Sequence, residues 1–235
     1  KDSPDLAPGW DLSSLIALAA GNTPTALRLA DRSLQLAPDR FSYLSHLAYC
    51  LHALQRTGEA RDLTASLAER SLEHAAEYDT LGNLYSLGKD QCAAESCFRK
   101  AVELEPAKAH YHVNLALAQQ ANGKLAEAEQ AFDRALALNP EDYEAWLHRS
   151  RLRKQTPQDN HVAELEQHIA QGVTSWRGEM NLRYALAKEY EDLKDYPRAF
   201  QHLHTGSKLR RSHMQHEAQG DIDTIDAIIS QFSAG

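Results

Sequence analysis

Residues 75–108 read AAEYDTLGNLYSLGKDQCAAESCFRKAVELEPAK, and residues 109–142 read AHYHVNLALAQQANGKLAEAEQAFDRALALNPED. Laid over one another, the two stretches match slot for slot. Tyr78, Leu81, Gly82, Tyr85, Ala94, Phe98, Ala101 and Pro106 become His112, Leu115, Ala116, Gln119, Ala128, Phe132, Ala135 and Pro140, each 34 residues on. The beat continues outward, with unit starts at Ala7, Phe41, Ala75, Ala109 and Tyr143. Small residues at Ala48, Gly82 and Ala116, and again at Ala60, Ala94 and Ala128, let two antiparallel helices approach closely, while Tyr85, Phe98 and Phe132 fill the space between them. Proline at Pro38, Pro106 and Pro140 closes a unit by restraining the residue before it from helical angles. Gly21 and Gly123 sit where a first helix hands over to a second. A helix–turn–helix unit of this length cannot bury its apolar face alone, so neighbours must stack into a solenoid.

The first unit fills the slots with Trp10, Ser13, Ser14, Ala17, Ala26, Ala30, Ser33 and Pro38, and the second with Leu44, Leu47, Ala48, Leu51, Ala60, Thr64, Leu67 and Leu72. The second unit therefore lacks the terminal proline. This slot set resembles the tetratricopeptide repeat. The resemblance implies an all-α, right-handed helical solenoid whose first helices line a concave groove. About six stacked units are expected, followed by a capping or linker helix. The segments are an N-terminal tail at 1–6, four regular units at 7–142, a divergent fifth unit at 143–179, a sixth at 180–214 and an amphipathic helix within 215–235, all in one solenoid domain.

The beat breaks near the end. Trp146 opens the fifth unit in register, but Arg149 and Arg153 occupy slots that are usually apolar, and Pro157 interrupts the chain before a helix over Val162 to Gln171. A bent or lengthened unit is expected there. The sixth unit starts near Met180, 37 residues on, with Leu186, Ala187, Tyr190, Ala199, Leu203 and Gly206 in the right slots. Beyond it, Ile222, Ile225, Ile229 and Phe232 form one stripe of a helix over Asp221–Phe232.

Composition agrees with an all-α fold. Alanine (36) and leucine (32) swamp valine (4) and isoleucine (6), which favours helix and leaves almost nothing for strands. The longest apolar run, Leu15–Ala20, falls far short of the ~20 residues that span a bilayer, and Lys1–Trp10 does not read as a signal peptide. A net charge of −8 argues against nucleic acid as the main partner. The one basic stretch, Lys208, Arg210 and Arg211 with His202, His204, His213 and His216 around it, reads as a solvated helix face near a C-terminus, with a docking patch as the alternative. Three cysteines in a chain large enough for its own core suggest reduced thiols and a cytoplasmic setting, with the sulfurs buried as small apolar groups. Cys92 and Cys97 point in different directions from one helix, and the His202/His204 pair has no spacing partner to complete a metal site.

No catalytic machinery is legible. Gly82–Lys89 has five residues between its glycines where a phosphate-binding loop has four, and Asp90 stands where serine or threonine should hold magnesium. No serine elbow, zinc helix or kinase signature occurs. The chain is expected to carry no cofactor or metal and to act through its groove. By resemblance to the family, the groove wall takes the second, fifth, sixth, ninth and twelfth positions of each first helix. These include His46, Tyr49, His52, Asp79, Asn83, His110, Asn114, Arg151 and Lys188, beside Ser45, Ser86, Gln120, Lys154 and Tyr184. Asparagine amides there can both donate to and accept from the backbone of an extended peptide or protein partner. Cochaperones of this kind hold a carboxylate tail with two asparagines and several cations. Asn83 and Asn114 match the asparagine slots, but Asp79, Glu144 and His148 replace the cations, so a carboxylate tail would be repelled.

Residues 180–211, with Tyr184-Ala-Leu-Ala-Lys-Glu-Tyr and Leu209-Arg-Arg, also resemble the terminal repeat of bacterial proteins in which tetratricopeptide repeats continue into a sulfotransferase domain. That resemblance implies a non-catalytic arm presenting an acceptor to a following catalytic domain. The donor 3′-phosphoadenosine 5′-phosphosulfate would bind only to that domain. The start at Lys1 without methionine, and the close on Ser-Ala-Gly, read as an excised piece. Partner identity and oligomeric state are left open by the sequence.

Overall fold

Gly21, Gln55, Lys89 and Gly123 are spaced 34 residues apart, and all four have left-handed backbone, with φ of 75°, 59°, 65° and 76°. Each reverses the chain between a first and a second helix. Glycine takes this geometry freely, whereas Gln55 and Lys89 take it against a Cβ penalty, so the turn is set by the packing of the helices on either side. The 34-residue beat is thus written in the backbone as well as in the side chains.

The computed structural model describes residues 7–214, and the helices are α1 Ala7–Ala19, α2 Thr23–Leu36, α3 Phe41–Ala53, α4 Thr57–Ala68, α5 Ala75–Leu87, α6 Gln91–Leu104, α7 Ala109–Ala121, α8 Leu125–Leu138, α9 Tyr143–Arg151, α10 Val162–Gln171, α11 Trp176–Asp192 and α12 Tyr196–Ser212. No strand occurs among the described residues; an isolated bridge pairs Thr156 with Asp159. The five expected unit starts are the first residues of α1, α3, α5, α7 and α9. The expected tail at 1–6, the helix over Asp221–Phe232 and His216 lie outside the described residues. No described helix is long and apolar enough to cross a membrane. The chain divides into two compact units, Lys1–Arg153 and Lys154–Gly235, with the division inside the divergent fifth repeat.

In the first compact unit the slots do what their residue types imply. Ala26, Ala30, Ala48, Ala60, Ala94, Ala101, Ala116, Ala128, Ala135 and Phe132 are fully buried. Gly82 has no room for a methyl group: a Cβ there would lie 2.6 Å from the Phe98 ring. The fourth position of three repeats carries an aromatic ring with a hydrogen-bond donor, and each donates to the carbonyl six residues back. Tyr78 reaches Leu72 O at 3.3 Å, His112 reaches Pro106 O at 2.9 Å and Trp146 reaches Pro140 O at 3.0 Å. This bond ties each loop to the helix that follows it, and it explains why tyrosine, histidine and tryptophan are interchangeable in the slot. Where the second repeat lacks its proline, the Glu77 carboxylate accepts from the backbone N–H groups of Glu73 and His74 and fixes the start of α5.

Glu95 on α6 joins the third repeat to the fourth. Its side chain is 5 % exposed and accepts from Arg99 (2.6 Å), Lys124 (2.8 Å) and Asn122 (2.8 Å). Burial by itself raises its carboxyl, but the hydrogen bonds from Lys124, Asn122 and Arg99 outweigh it and hold the group below the ordinary carboxylate range. Because the folded pKa lies below the unfolded one, the stabilisation is complete above the unfolded pKa and is lost as pH falls through the folded one. Glu95→Gln is expected to cost about 1–3 kcal/mol at neutral pH. The same substitution should flatten the acid limb of a plot of thermal midpoint against pH.

The fifth repeat departs where the arginines stand, with a short first helix inside a unit that keeps the expected 37-residue spacing. α9 stops at Arg151 after 9 residues. Arg149 pairs with Asp133 and Arg153 Nε reaches Glu129 at 3.0 Å, so both guanidinium groups are held by carboxylates of α8. Cys50 is buried and Cys97 half-buried, but Cys92 is exposed, which corrects its expected burial. Burial, with the charge of Asp90 adding to it, pushes the Cys97 thiol up to about 11.

The second compact unit holds α10 to α12. α11 begins at Trp176, four residues ahead of the expected Met180, because Ser175 caps an extra turn through Gly178 N. The register still follows the 37-residue spacing: Leu186, Ala187, Tyr190 and Ala199 are buried. One slot is corrected: Leu203 is 48 % exposed, and His202 one residue earlier is buried in its place, stacked on Tyr190 at 5.6 Å. His204 stacks on Phe200 instead, so the two histidines serve different neighbours.

Candidate functional site

The first helices α1, α3, α5 and α7 lie side by side in the first compact unit, so residues at equivalent positions form ladders across them. Fifth and sixth positions of successive helices meet. Asp11 of α1 accepts from His46 Nδ1 of α3 at 2.6 Å. Asp79 of α5 accepts from Asn114 Nδ2 of α7 at 2.7 Å. One turn along α5, Asn83 Nδ2 donates to the other oxygen of Asp79 at 3.2 Å. The arrangement follows from the period: residues 35 apart fall on facing positions of adjacent first helices.

Five of the expected wall residues gather around this point. Tyr49 donates to the Thr80 carbonyl at 3.4 Å, and burial together with the negative charge of Asp79 pushes its phenol up to about 12, so it stays a neutral donor. His110 is exposed, tilted against Tyr111 with ring centroids 4.0 Å apart, and its charge acts on Asp79. Burial raises the Asp79 carboxyl above its ordinary value; the bonds from Asn114 and Asn83 and the influence of His110 work against that rise without cancelling it.

The other expected residues are placed differently. His46 takes part in the Asp11 contact and lines a cleft of about 330 Å³ between α3 and α5, with Arg40, Ser42, Ser45, Ala76 and Thr80. His52 is 8 % exposed, and burial lowers its imidazole below the ordinary range. Arg151 is exposed at the end of α9. Lys188 belongs to the second compact unit, where its Nζ lies 2.6 Å from Asp192. Asp11 and Thr80 were missed by sequence reasoning, although both occupy the same fifth and sixth positions as Asp79 and Asn114. A second cleft of about 330 Å³, between α4 and the α5–α6 turn, is lined by Arg61, Asp62, Tyr85 and Asp90 and contains none of the expected wall.

Comparison with known proteins agrees with this architecture. A search of curated proteins returns no significant match. Among solved structures, PilF of Pseudomonas aeruginosa is 21 % identical with a TM-score of 0.64, covering 93 % of this chain and 96 % of that one. A thermophilic TPR protein of Thermus thermophilus is 19 % identical with a TM-score of 0.56, covering 87 % and 98 %. YrrB, a TPR protein reported with an unusual peptide-binding site, is 14 % identical with a TM-score of 0.50, covering 85 % and 92 %. At these identities the likeness shows the fold. Models of the tetratricopeptide repeat match residues 14–76, 75–108 and 109–142, a continuous span of more than half the chain. With the repeating slots, turns and ladders described above, that match places the chain in the tetratricopeptide repeat family.

Proposed function

We propose that the chain is a non-catalytic scaffold that binds a protein partner, through an extended peptide segment, along the shared face of α3, α5 and α7. The observation that carries this reading is the contact of Asp79, Asn83 and Asn114 across two consecutive repeats, beside the neutral donor Tyr49. It is a fixed polar surface on rigid helices, with hydrogen-bonding capacity left over for a main chain. The fold likeness to YrrB, reported with a peptide-binding site, supports the same reading. A cytoplasmic setting fits three unpaired thiols.

The test uses peptides selected from a random display library against the whole chain. Asn83→Ala with Asn114→Ala is expected to weaken them about tenfold or more, as loss of two hydrogen bonds implies. Unchanged affinity in a folded double variant moves the binding surface elsewhere. The alternative, an arm that recruits substrates for a sulfotransferase, is favoured only by the sequence of residues 180–211, and the codons after position 235 decide it. A strand followed by an Arg-Ser-Gly-Thr-like loop supports it.

A further inference from the structure

Resting on the peptide-binding reading above, the geometry points to a narrower ligand chemistry: we infer that the Asp79–Asn83–Asn114 centre receives a cationic group of the bound peptide, a primary ammonium or guanidinium. The argument begins with what each group has left to offer. Both asparagines spend an amide N–H on the Asp79 carboxylate, at 2.7 Å from Asn114 and 3.2 Å from Asn83. Their amide oxygens take no donor from the described residues. Each asparagine keeps its second amide N–H, so the centre presents the Asp79 oxygens and two amide oxygens, acceptors around one negative charge, beside two remaining donors. A group that brings several N–H donors and a positive charge matches the acceptors and the charge, whereas a carboxylate meets the like charge of Asp79.

The second observation is the treatment of charge. Three other carboxylates of the first compact unit that lie between repeats have fixed cations: Glu95 has Lys124 and Arg99, Glu129 has Arg153, and Asp133 has Arg149. Asp79 is half-buried between α5 and α7, and among the described residues no lysine or arginine pairs with it. Its neighbours are the neutral amides, Tyr49, which stays protonated, and His110. Arg40, the cation of the adjoining α3–α5 cleft, is turned over the Tyr43 ring at 5.5 Å. A desolvated carboxylate held by neutral donors gains from a cation supplied by a partner, because the cost of burying the anion is already met within the fold.

The experiment takes peptides selected from the display library and measures their affinity by fluorescence anisotropy. The selected sequences are expected to carry lysine or arginine. Replacing that residue by Nε-acetyl-lysine should weaken wild type about tenfold or more, and Asp79→Asn, which keeps the side-chain shape, should lose the same factor. The two changes together should cost little more than either alone, since both remove one interaction. If the loss follows acetylation of the peptide N-terminus instead, the cation is the terminal amine. In wild type, ¹³C NMR should show the Asp79 carboxyl titrating at lower pH with the basic peptide bound.

Peptides that bind with neither a basic residue nor a free terminal amine, additive losses, or an unmoved Asp79 titration overturn the cation site. The peptide surface survives that outcome if Asn83→Ala with Asn114→Ala still weakens binding. If no variant of this face changes affinity, both readings fall.

Discussion

Phe132→Ala is expected to destabilise the first compact unit by about 3–5 kcal/mol, the range for removing a fully buried aromatic side chain. Phe132 is 0 % exposed, at the position where α8 meets the first helices of its own and the next repeat. Its ring is parallel to His148 of α9, with centroids 6.1 Å apart and 2° between planes, and burial keeps that imidazole below its ordinary pKa. Ala128 and Ala135, one turn before and after it on α8, are already minimal, so they cannot expand into the space left behind. In a stack whose repeats contact only their neighbours, the loss should first free α9 and α8 and broaden the unfolding transition. Urea unfolding followed by circular dichroism measures it. Phe200→Ala is the control: that ring is 68 % exposed on α12, and its removal should change stability by no more than about 0.5 kcal/mol.

The second compact unit has a comparable single point of failure. Glu189 of α11 is 0 % exposed; it accepts from the backbone N–H of His161 at 2.7 Å and from His161 Nδ1 at 3.1 Å. His161 is the residue before α10, so this carboxylate supplies the acceptor that the start of the helix needs. Glu189→Ala removes from a fully buried position the carboxylate that accepts from the backbone and ring N–H groups of His161, and about 3–5 kcal/mol of destabilisation is expected. Hydrogen exchange should show α10 losing protection before α11 and α12. Glu189→Gln keeps one acceptor and should recover part of the loss; equal protection of α10 in Glu189→Ala and wild type would sink this account.

Much of the first compact unit was legible because a solenoid repeats its constraints. Phe98 and Phe132, or Gly82 and Ala116, are the same physical requirement met twice, and the five helix starts follow from the beat. The breaks were harder to place. Arg149 and Arg153 marked the departure, but its form depended on Asp133 and Glu129 of the preceding repeat, which a single-slot reading does not pair with them. Leu203 was assigned by register, yet α12 turns His202 inward because Tyr190 offers a ring to stack on and Glu166 lies 3.7 Å from its Nε2. Individual positions of the candidate site were visible as asparagines, histidines and Asp79. Their mutual bonds were not, because a contact between residues 35 apart depends on how adjacent helices are aligned. Those bonds change the chemistry: each asparagine spends one amide N–H on the Asp79 carboxylate, so what it offers a ligand stands beside a negative charge that sequence alone did not pair with it.

The most direct test of the binding face is ¹H–¹⁵N NMR of the side-chain amides while a library-selected peptide is added. Asn83 and Asn114 are expected to shift together and to saturate with the peptide, while Asn139, at the end of α8, stays in place. Shifts confined to α4, α6 and α8, with Asn83 and Asn114 unmoved at saturation, would contradict the account.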